Sequence, residues 1–238
     1  GNNNNGTLIN SPSWMGGRDR TSALDFNRTD LEYVNLGSDS ALDITEKITV
    51  TAWMQPYSFG NRNGIVAHST GSPRWGLMQE ENTGNKLRAF VYYSDDTNNA
   101  LYSNTLLETN KWYFVAFTHT NTWGTKLYLD GKEETSYQKT FSIGRSNQDT
   151  YIGAYMGAAN NFDGIIDQVR IYDYARTPAQ IAWDYNRGAP VGHWKFDECQ
   201  GSTIHDVTGN ANHGTINIGA SGTQTSVGSC NSGSSTDA

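Results

Sequence analysis

The chain has 238 residues with a formal net charge of −7, 25 glycines and two cysteines. That length can bury a full core, and an all-β sandwich often reaches it as one domain, so one domain with an appendage is expected. The basic residues are scattered without a stripe or helical face, which argues against nucleic acid, and no apolar run is long enough to cross a bilayer as a helix, which argues against membrane insertion.

Abundant Gly and Asn with few helix-favouring runs predict many strands and many turns. The chain opens at Gly1 without an initiator Met or signal peptide and reads as a processed or excised piece. Its first residues, Gly1-Asn2-Asn3-Asn4-Asn5-Gly6-Thr7, recur as Gly209-Asn210-Ala211-Asn212-His213-Gly214-Thr215, so the sequence spans slightly more than one period of a repeat. Between the copies, residues 31–34, 48–53, 63–67, 75–79, 86–93, 111–119, 125–129, 151–154 and 165–172 read as strands. Asn61-Arg62-Asn63-Gly64, Asn82-Thr83-Gly84-Asn85, Asp95-Asp96-Thr97-Asn98-Asn99 and Asp130-Gly131 read as the turns between them, the last as a hairpin. About a dozen strands close most naturally as an all-β, two-sheet antiparallel jelly-roll sandwich.

Residues 162–183, FDGIIDQVRIYDYARTPAQIAW, are the most informative stretch. Ile165, Val169 and Ile171 have strand periodicity, and Asp167 falls on the same, buried parity. A buried carboxylate costs several kcal/mol unless hydrogen bonds or a cation compensate it, which makes Asp167 the leading metal candidate. Thr177, Pro178 and Gln180 then supply an N-cap, an N1 proline and a capping-box partner for one short helix near 177–185.

Beyond the helix, residues 191–197 alternate again, with Trp194 and Phe196 on one face. The division expected is a sandwich over 1–188 and a C-terminal segment over 189–238. Strand 191–197 either completes a sandwich, in its own chain or a neighbouring copy, or begins the next domain of a tandem array. Cys199 and Cys230 have no His or Cys at metal-ligand spacing, so a disulfide is favoured over zinc. It would close a loop of about 30 residues and stabilise by roughly 3–4 kcal/mol on the chain-entropy model. With a surface rich in Asn, Ser and Thr, this points to an extracellular or cell-surface setting, the alternative being two thiols in a reducing compartment.

Sugar-binding sites combine aromatic faces with Asn, Asp and Arg. Arg74 with Trp75, the pair Tyr92 and Tyr93, Trp123 in a polar loop, and Tyr155 near Asn160 and Asn161 have that composition. Ordinary packing explains any single one of these aromatics better than it explains the group. Trp53 and Trp112 lie in strongly apolar runs and read as core.

The pattern FDGxIDxVRIYxxAxTxxQI at 162–181 resembles the laminin-G-like jelly rolls of the concanavalin A-like superfamily. Lys111-Trp112-Tyr113-Phe114-Val115-Ala116 followed by Leu127-Tyr128-Leu129-Asp130-Gly131 agrees with that family's order. So does Ala23-Leu24-Asp25-Phe26 followed by Ile48-Thr49-Val50-Thr51-Ala52-Trp53. The resemblance covers nearly all of residues 1–188 and implies the fold more strongly than any function. It implies a glycan-binding or adhesive module whose partner is a polysaccharide or glycan. It also implies a structural calcium: Asp167 matches an aspartate that, in laminarinase-type relatives, binds the ion with backbone oxygens of the N-terminal region, and Asp25 and Asp163 are its possible companions. In this family the opening strand lies beside the closing one, and the first copy of the repeat has no such strand. The alternative is therefore a structural subunit whose partners are copies of itself, assembled head-to-tail into a filament by strand donation.

Glucanases of the superfamily carry two glutamates and an aspartate on one strand, because retaining hydrolysis needs carboxylates about 5 Å apart. No Glu-x-Asp-x-Glu run occurs here. Glu80-Glu81 and Glu133-Glu134 flank turns and read as solvated, and no Ser or Cys elbow accompanies the five histidines. An enzyme is not expected.

Overall fold

Residues 47–56 are apolar or threonine at almost every position, so both faces of that strand need a cover. In the computed structural model both faces have one. The structure describes residues 5–18, 22–69, 73–157, 160–187, 192–196, 202–208 and 211–217, in two units, Gly1–Tyr185 and Asn186–Ala238.

In the first unit the strands are β1 (Thr7–Ile9), β2 (Ser13–Gly16), β3 (Ser22–Phe26), β4 (Tyr33–Asn35), β5 (Lys47–Pro56), β6 (Asn63–His68), β7 (Trp75–Glu80) and β8 (Lys86–Tyr92). They continue as β9 (Asn98–Leu106), β10 (Tyr113–Thr120), β11 (Gly124–Leu129), β12 (Lys132–Tyr137), β13 (Thr150–Ile152), β14 (Ala154–Tyr155), β15 (Asn160–Asn161) and β16 (Gly164–Tyr172), before helix α1 (Pro178–Asn186). Two seven-stranded sheets form, ordered β1-β4-β13-β6-β7-β8-β9 and β12-β11-β10-β5-β16-β3-β2, and β14 pairs with β15. All pairings among the described residues are antiparallel, and the protein is the two-sheet sandwich that strand periodicity predicts.

Ile48, Val50, Ala52 and Met54 of β5 join Trp75, Leu77, Leu87, Val91, Val115 and Phe117 in a cluster drawn from both sheets. The opposite face of β5 presents Trp53, which packs with Phe114, Ala116, Tyr128 and Ile181 of α1. Tyr185 stacks on Trp53 at 5.6 Å. Trp53 is therefore core, as expected, but core beneath the helix rather than between the sheets. The helix begins as its caps predict: the Thr177 N–H donates to Gln180 Oε1 at 2.9 Å, and the Gln180 N–H donates to Thr177 Oγ1 at 3.3 Å. Asp130 and Gly131 take φ values of 48° and 77°, the left-handed pair that a two-residue hairpin between β11 and β12 requires.

Strand β16 corrects the expected parity of Asp167. Ile166 pairs with Met54 and faces the inter-sheet core, so Ile165 and Asp167 lie on the opposite face of the sheet. A bulge between Asp167 and Arg170, with Gln168 at φ 49°, inserts one residue and returns Val169 and Ile171 to the core side. Strict alternation over 165–171 therefore merges two faces into one. Strands β1, β2, β9 and β12 were not expected. Asn-Asn-Ala-Leu-Tyr-Ser-Asn-Thr-Leu and Lys-Glu-Glu-Thr-Ser-Tyr hold too few apolar residues to read as strands, and both lie at sheet edges where one side needs little cover.

The second unit contains β17 (Thr203–Ile204) paired with β18 (Gly214–Thr215). Within residues 192–196, Trp194 bridges to Asp206, and this is the one ladder contact among the described residues there. The Asp206 carboxylate accepts from the N–H groups of His193 (2.9 Å), Thr208 (3.0 Å) and Asn212 (3.1 Å). Those donors stabilise the ionised form and hold it well below the usual carboxylate range. Trp194 is 40% and Phe196 74% exposed. Val191, Asp197, Cys199 and Cys230 lie outside the described residues, as does the expected disulfide.

Candidate ligand-binding site

Two clefts flank Arg74. One, of about 520 Å³, is lined by Arg74, Tyr93, Ser94, Asp96, Ser142 and Arg145 among others. The second, of about 460 Å³, is lined by Arg62, Arg74, Tyr92, Asp96, Tyr155 and Met156. Both fall within the size range of small-ligand sites.

Register explains which aromatics reach them. Trp75 pairs with Val91, so the two share the core face, and Tyr92 lies on the other. Trp75 is accordingly fully buried, stacked on His68 at 5.6 Å and tilted against Phe117 at 6.3 Å. It offers no face to a ligand, contrary to the expectation from its polar neighbours. Tyr93, inward like Val91, is also fully buried and contributes to the first cleft as floor rather than platform. Burial pushes its phenol above the ordinary value. Tyr92 is half-buried, and its ring meets Phe90 edge-on at 6.1 Å. Tyr155, 4% exposed, meets the same Phe90 at 5.3 Å.

Arg74 is fixed through its backbone. Its N–H donates to the His68 carbonyl (3.0 Å), and its carbonyl accepts from the Tyr92 N–H (2.7 Å). Its guanidinium lies over Gly144, where any Cβ would come 2.9 Å from Nη1. Its Nε is buried without an acceptor. Arg62, Asp96 and Met156 have φ values of 60°, 60° and 57°, a left-handed backbone that non-glycine residues rarely adopt.

Behind the second cleft, Glu80 is 4% exposed, with Oε2 at 3.6 Å from both Arg62 Nε and Arg88 Nη1. The solvated reading of Glu80 is thus corrected. Glu134 accepts from the Asn104 and Thr105 N–H groups at 2.7 and 2.9 Å, and Glu133 takes the Lys126 ammonium at 2.7 Å. Buried His119 places Nδ1 at 2.9 Å from Thr125 Oγ1 and donates from Nε2 to the Phe141 carbonyl at 3.1 Å. Burial lowers its pKa to about 4.

The remaining candidates lie apart. Trp123, 39% exposed at the β10–β11 turn, has Lys126 Nζ 4.4 Å over its ring and lines neither cleft. Asn161 is 2% exposed and donates from Nδ2 to the Glu32 carbonyl at 3.1 Å, a structural position that corrects its assignment as a ligand group. Asn160, half-buried, pairs with Tyr155 in the β14–β15 ladder and also lines neither cleft.

Among the aspartates, Asp167 is 6% exposed, and its Oδ2 accepts from the Arg18 N–H at 3.2 Å. The Arg18 guanidinium lies 3.8 Å over the Trp53 ring. Asp25 and Asp163 gather instead around Tyr57 and Ser58: the Ser58 hydroxyl donates to Asp163 Oδ2 at 2.5 Å, and burial raises the Asp25 pKa. Calcium requires six to eight oxygens. Among the described residues no group of three or more His, Cys, Asp or Glu is placed to hold a metal ion, so Asp167, Asp25 and Asp163 do not gather as one carboxylate cluster.

Sequence reading missed Arg62, Asp96, Arg145 and Met156. None has a local pattern that marks it, because each reaches the clefts from a different loop.

A laminin G family model, described as the concanavalin A-like lectin/glucanases superfamily, matches residues 29–182. No curated protein matches the chain. Among solved structures, the chain is similar to the binding domain of Paraclostridial mosquitocidal protein 1, with TM-score 0.66 and 14% identity over 79% of this chain and 48% of that one. It is similar to domain 4 of AbnA, an extracellular GH43 arabinanase of Geobacillus stearothermophilus in complex with arabinotriose, with TM-score 0.56 and 18% identity over 75% of this chain and 81% of that one. It is also similar to the botulinum neurotoxin serotype D ligand binding domain in complex with N-acetylneuraminic acid, with TM-score 0.60 and 16% identity over 80% of this chain and 48% of that one. The chain spans about half the length of the two toxin domains. At these identities the likeness is one of fold. Among the described residues no helix is long and apolar enough to cross a membrane.

Proposed function

The chain belongs to the concanavalin A-like lectin/glucanases superfamily, and from that premise we propose that it is a non-enzymatic, glycan-binding module of an extracellular or cell-surface protein. The observation that carries this reading is the gathering of Tyr92, Tyr155, Arg74 and Asp96 at one cleft. A half-buried tyrosine supplies an apolar face for a sugar ring, and the arginine and aspartate supply a donor and an acceptor for its hydroxyls. The solved domains bound to arabinotriose and N-acetylneuraminic acid support it as examples of sugar binding by similar folds. The surroundings of Glu80 support the non-catalytic part: this buried carboxylate is paired by two arginines and lines neither cleft.

The test is a glycan array followed by titration of the best ligand into Tyr92→Ala. A loss of at least about tenfold in affinity with the melting temperature held is expected, from removal of a stacking face. An array without hits, or a variant that binds as the wild type does, overturns the reading.

A second reading is favoured by strand β16. Among the described residues it pairs with β3 over residues 164–166, whereas its pairing with β5 continues to Tyr172. Beside this half-paired edge is a hollow of about 190 Å³, lined by Trp14, Leu24, Phe26, Ile166 and Val169 among others. We propose that residues 191–197, with Trp194 and Phe196 as the apolar residues, add to this edge in their own chain or a second copy's. Deleting residues 190–238 should then lower the melting temperature and promote aggregation through the uncovered edge. A deletion variant that stays monomeric and melts where the full chain does rejects strand addition.

A further inference from the structure

The charges around Arg74 narrow the ligand, given the glycan-binding reading of the same site. The protein as a whole carries a net charge of −7, yet Arg62, Arg74 and Arg145 line the two clefts against a single carboxylate, that of Asp96. Arg62 is already matched by Glu80 at 3.6 Å. Among the described residues Arg74 and Arg145 take part in no ion pair, unlike Arg62, Arg88 and Arg176. Arg74 is also not a freely solvated surface arginine. It is half-buried, with Nε shielded and lacking an acceptor, and its position is fixed by backbone hydrogen bonds on both sides and by close contact with Gly144. A cation held in place, partly desolvated and with no carboxylate in ion-pair range among the described residues is arranged for an anion that arrives from outside. The planar guanidinium favours a carboxylate, whose two oxygens match its paired N–H groups.

We propose that the Arg74 clefts bind a glycan carrying a carboxylate on its ring, a uronic or sialic acid residue, with that carboxylate received by Arg74 and a neighbouring sugar ring set against Tyr92. Arg145, exposed at the far side of the first cleft, adds long-range attraction. Asp96, exposed and common to both clefts, accepts from sugar hydroxyls and disfavours ligands with a dense run of negative charge.

Calorimetric titration of the full chain with oligogalacturonate, a glucuronate oligosaccharide and sialyllactose, each beside its methyl-esterified form, tests this directly. At least one acid should bind about tenfold or more tighter than its ester, since a charged hydrogen-bonded pair replaces a neutral one. Arg74→Gln should abolish the preference, so that acid and ester bind alike, whereas Arg74→Lys should restore part of it. In the wild type, affinity for the acid and not the ester should fall as salt is raised, a readout that does not depend on how the variants fold. Acid and ester binding equally, binding of none of the acids, or a sulfated dextran binding through Arg74 where every carboxylate fails, each overturns the proposal. If Tyr92-dependent binding of neutral sugars persists while the acids gain nothing, only the carboxylate assignment falls. If Tyr92→Ala and Arg74→Gln both leave binding of a proven ligand intact, the site itself is misassigned.

Discussion

Between pH 7 and pH 4 the sandwich should lose roughly 3 kcal/mol of stability through His119 alone. Its imidazole is fully buried, and Thr125 and the Phe141 carbonyl satisfy the neutral ring. Folding therefore holds the pKa at about 4, against 6.5 for the free side chain. Above pH 6.5 neither state binds the proton and stability is complete. As the pH falls through that value the unfolded chain protonates and the folded one does not, so stability drops until about pH 4. His68, also lowered chiefly by burial, acts in the same direction. Asp25 and Asp130, raised chiefly by burial, oppose it over the lower part of the range, because folding favours their protonated forms. Urea midpoints measured at pH 7, 6, 5 and 4 should fall steadily, and His119→Gln, which keeps a donor and an acceptor without titrating, should flatten the profile. A wild-type midpoint that holds constant from pH 7 to pH 5 would show that His119 is not the neutral, enclosed group described.

Trp75→Ala should cost roughly 3–5 kcal/mol, the expense of emptying a tryptophan-sized volume in a close-packed interior. The side chain is fully buried in the inter-sheet cluster and contacts rings from both sheets, so partial collapse cannot fill the space it leaves. Tyr92→Ala, on the face opposite Trp75 and itself half-buried, should cost far less. Urea denaturation of the two variants separates a core residue from a site residue. Trp75→Ala within about 1 kcal/mol of the wild type would contradict its place in the core.

Local patterns made much of the architecture legible. The alternation in 48–53 and 86–93, the Asp130-Gly131 turn and the Thr177-Pro178-Gln180 cap each depend on residues a few positions apart, and each took the conformation its chemistry favours. Asp167 was legible as a buried carboxylate, but not as one facing away from the inter-sheet core, because a single residue inserted at the bulge reverses the parity of everything beyond it. The same holds for the clefts. Arg74, Trp75, Tyr92 and Tyr93 look alike in sequence, as aromatics and an arginine near polar loops. Pairing of Trp75 with Val91 turned Trp75 and Tyr93 inward and left Tyr92 beside Arg74, while Arg62, Asp96, Arg145 and Met156 came to them from loops far apart in the chain. Strand identity was written in neighbouring residues, but which face met the ligand was decided by cross-strand register and loop closure, which couple residues that no local pattern relates.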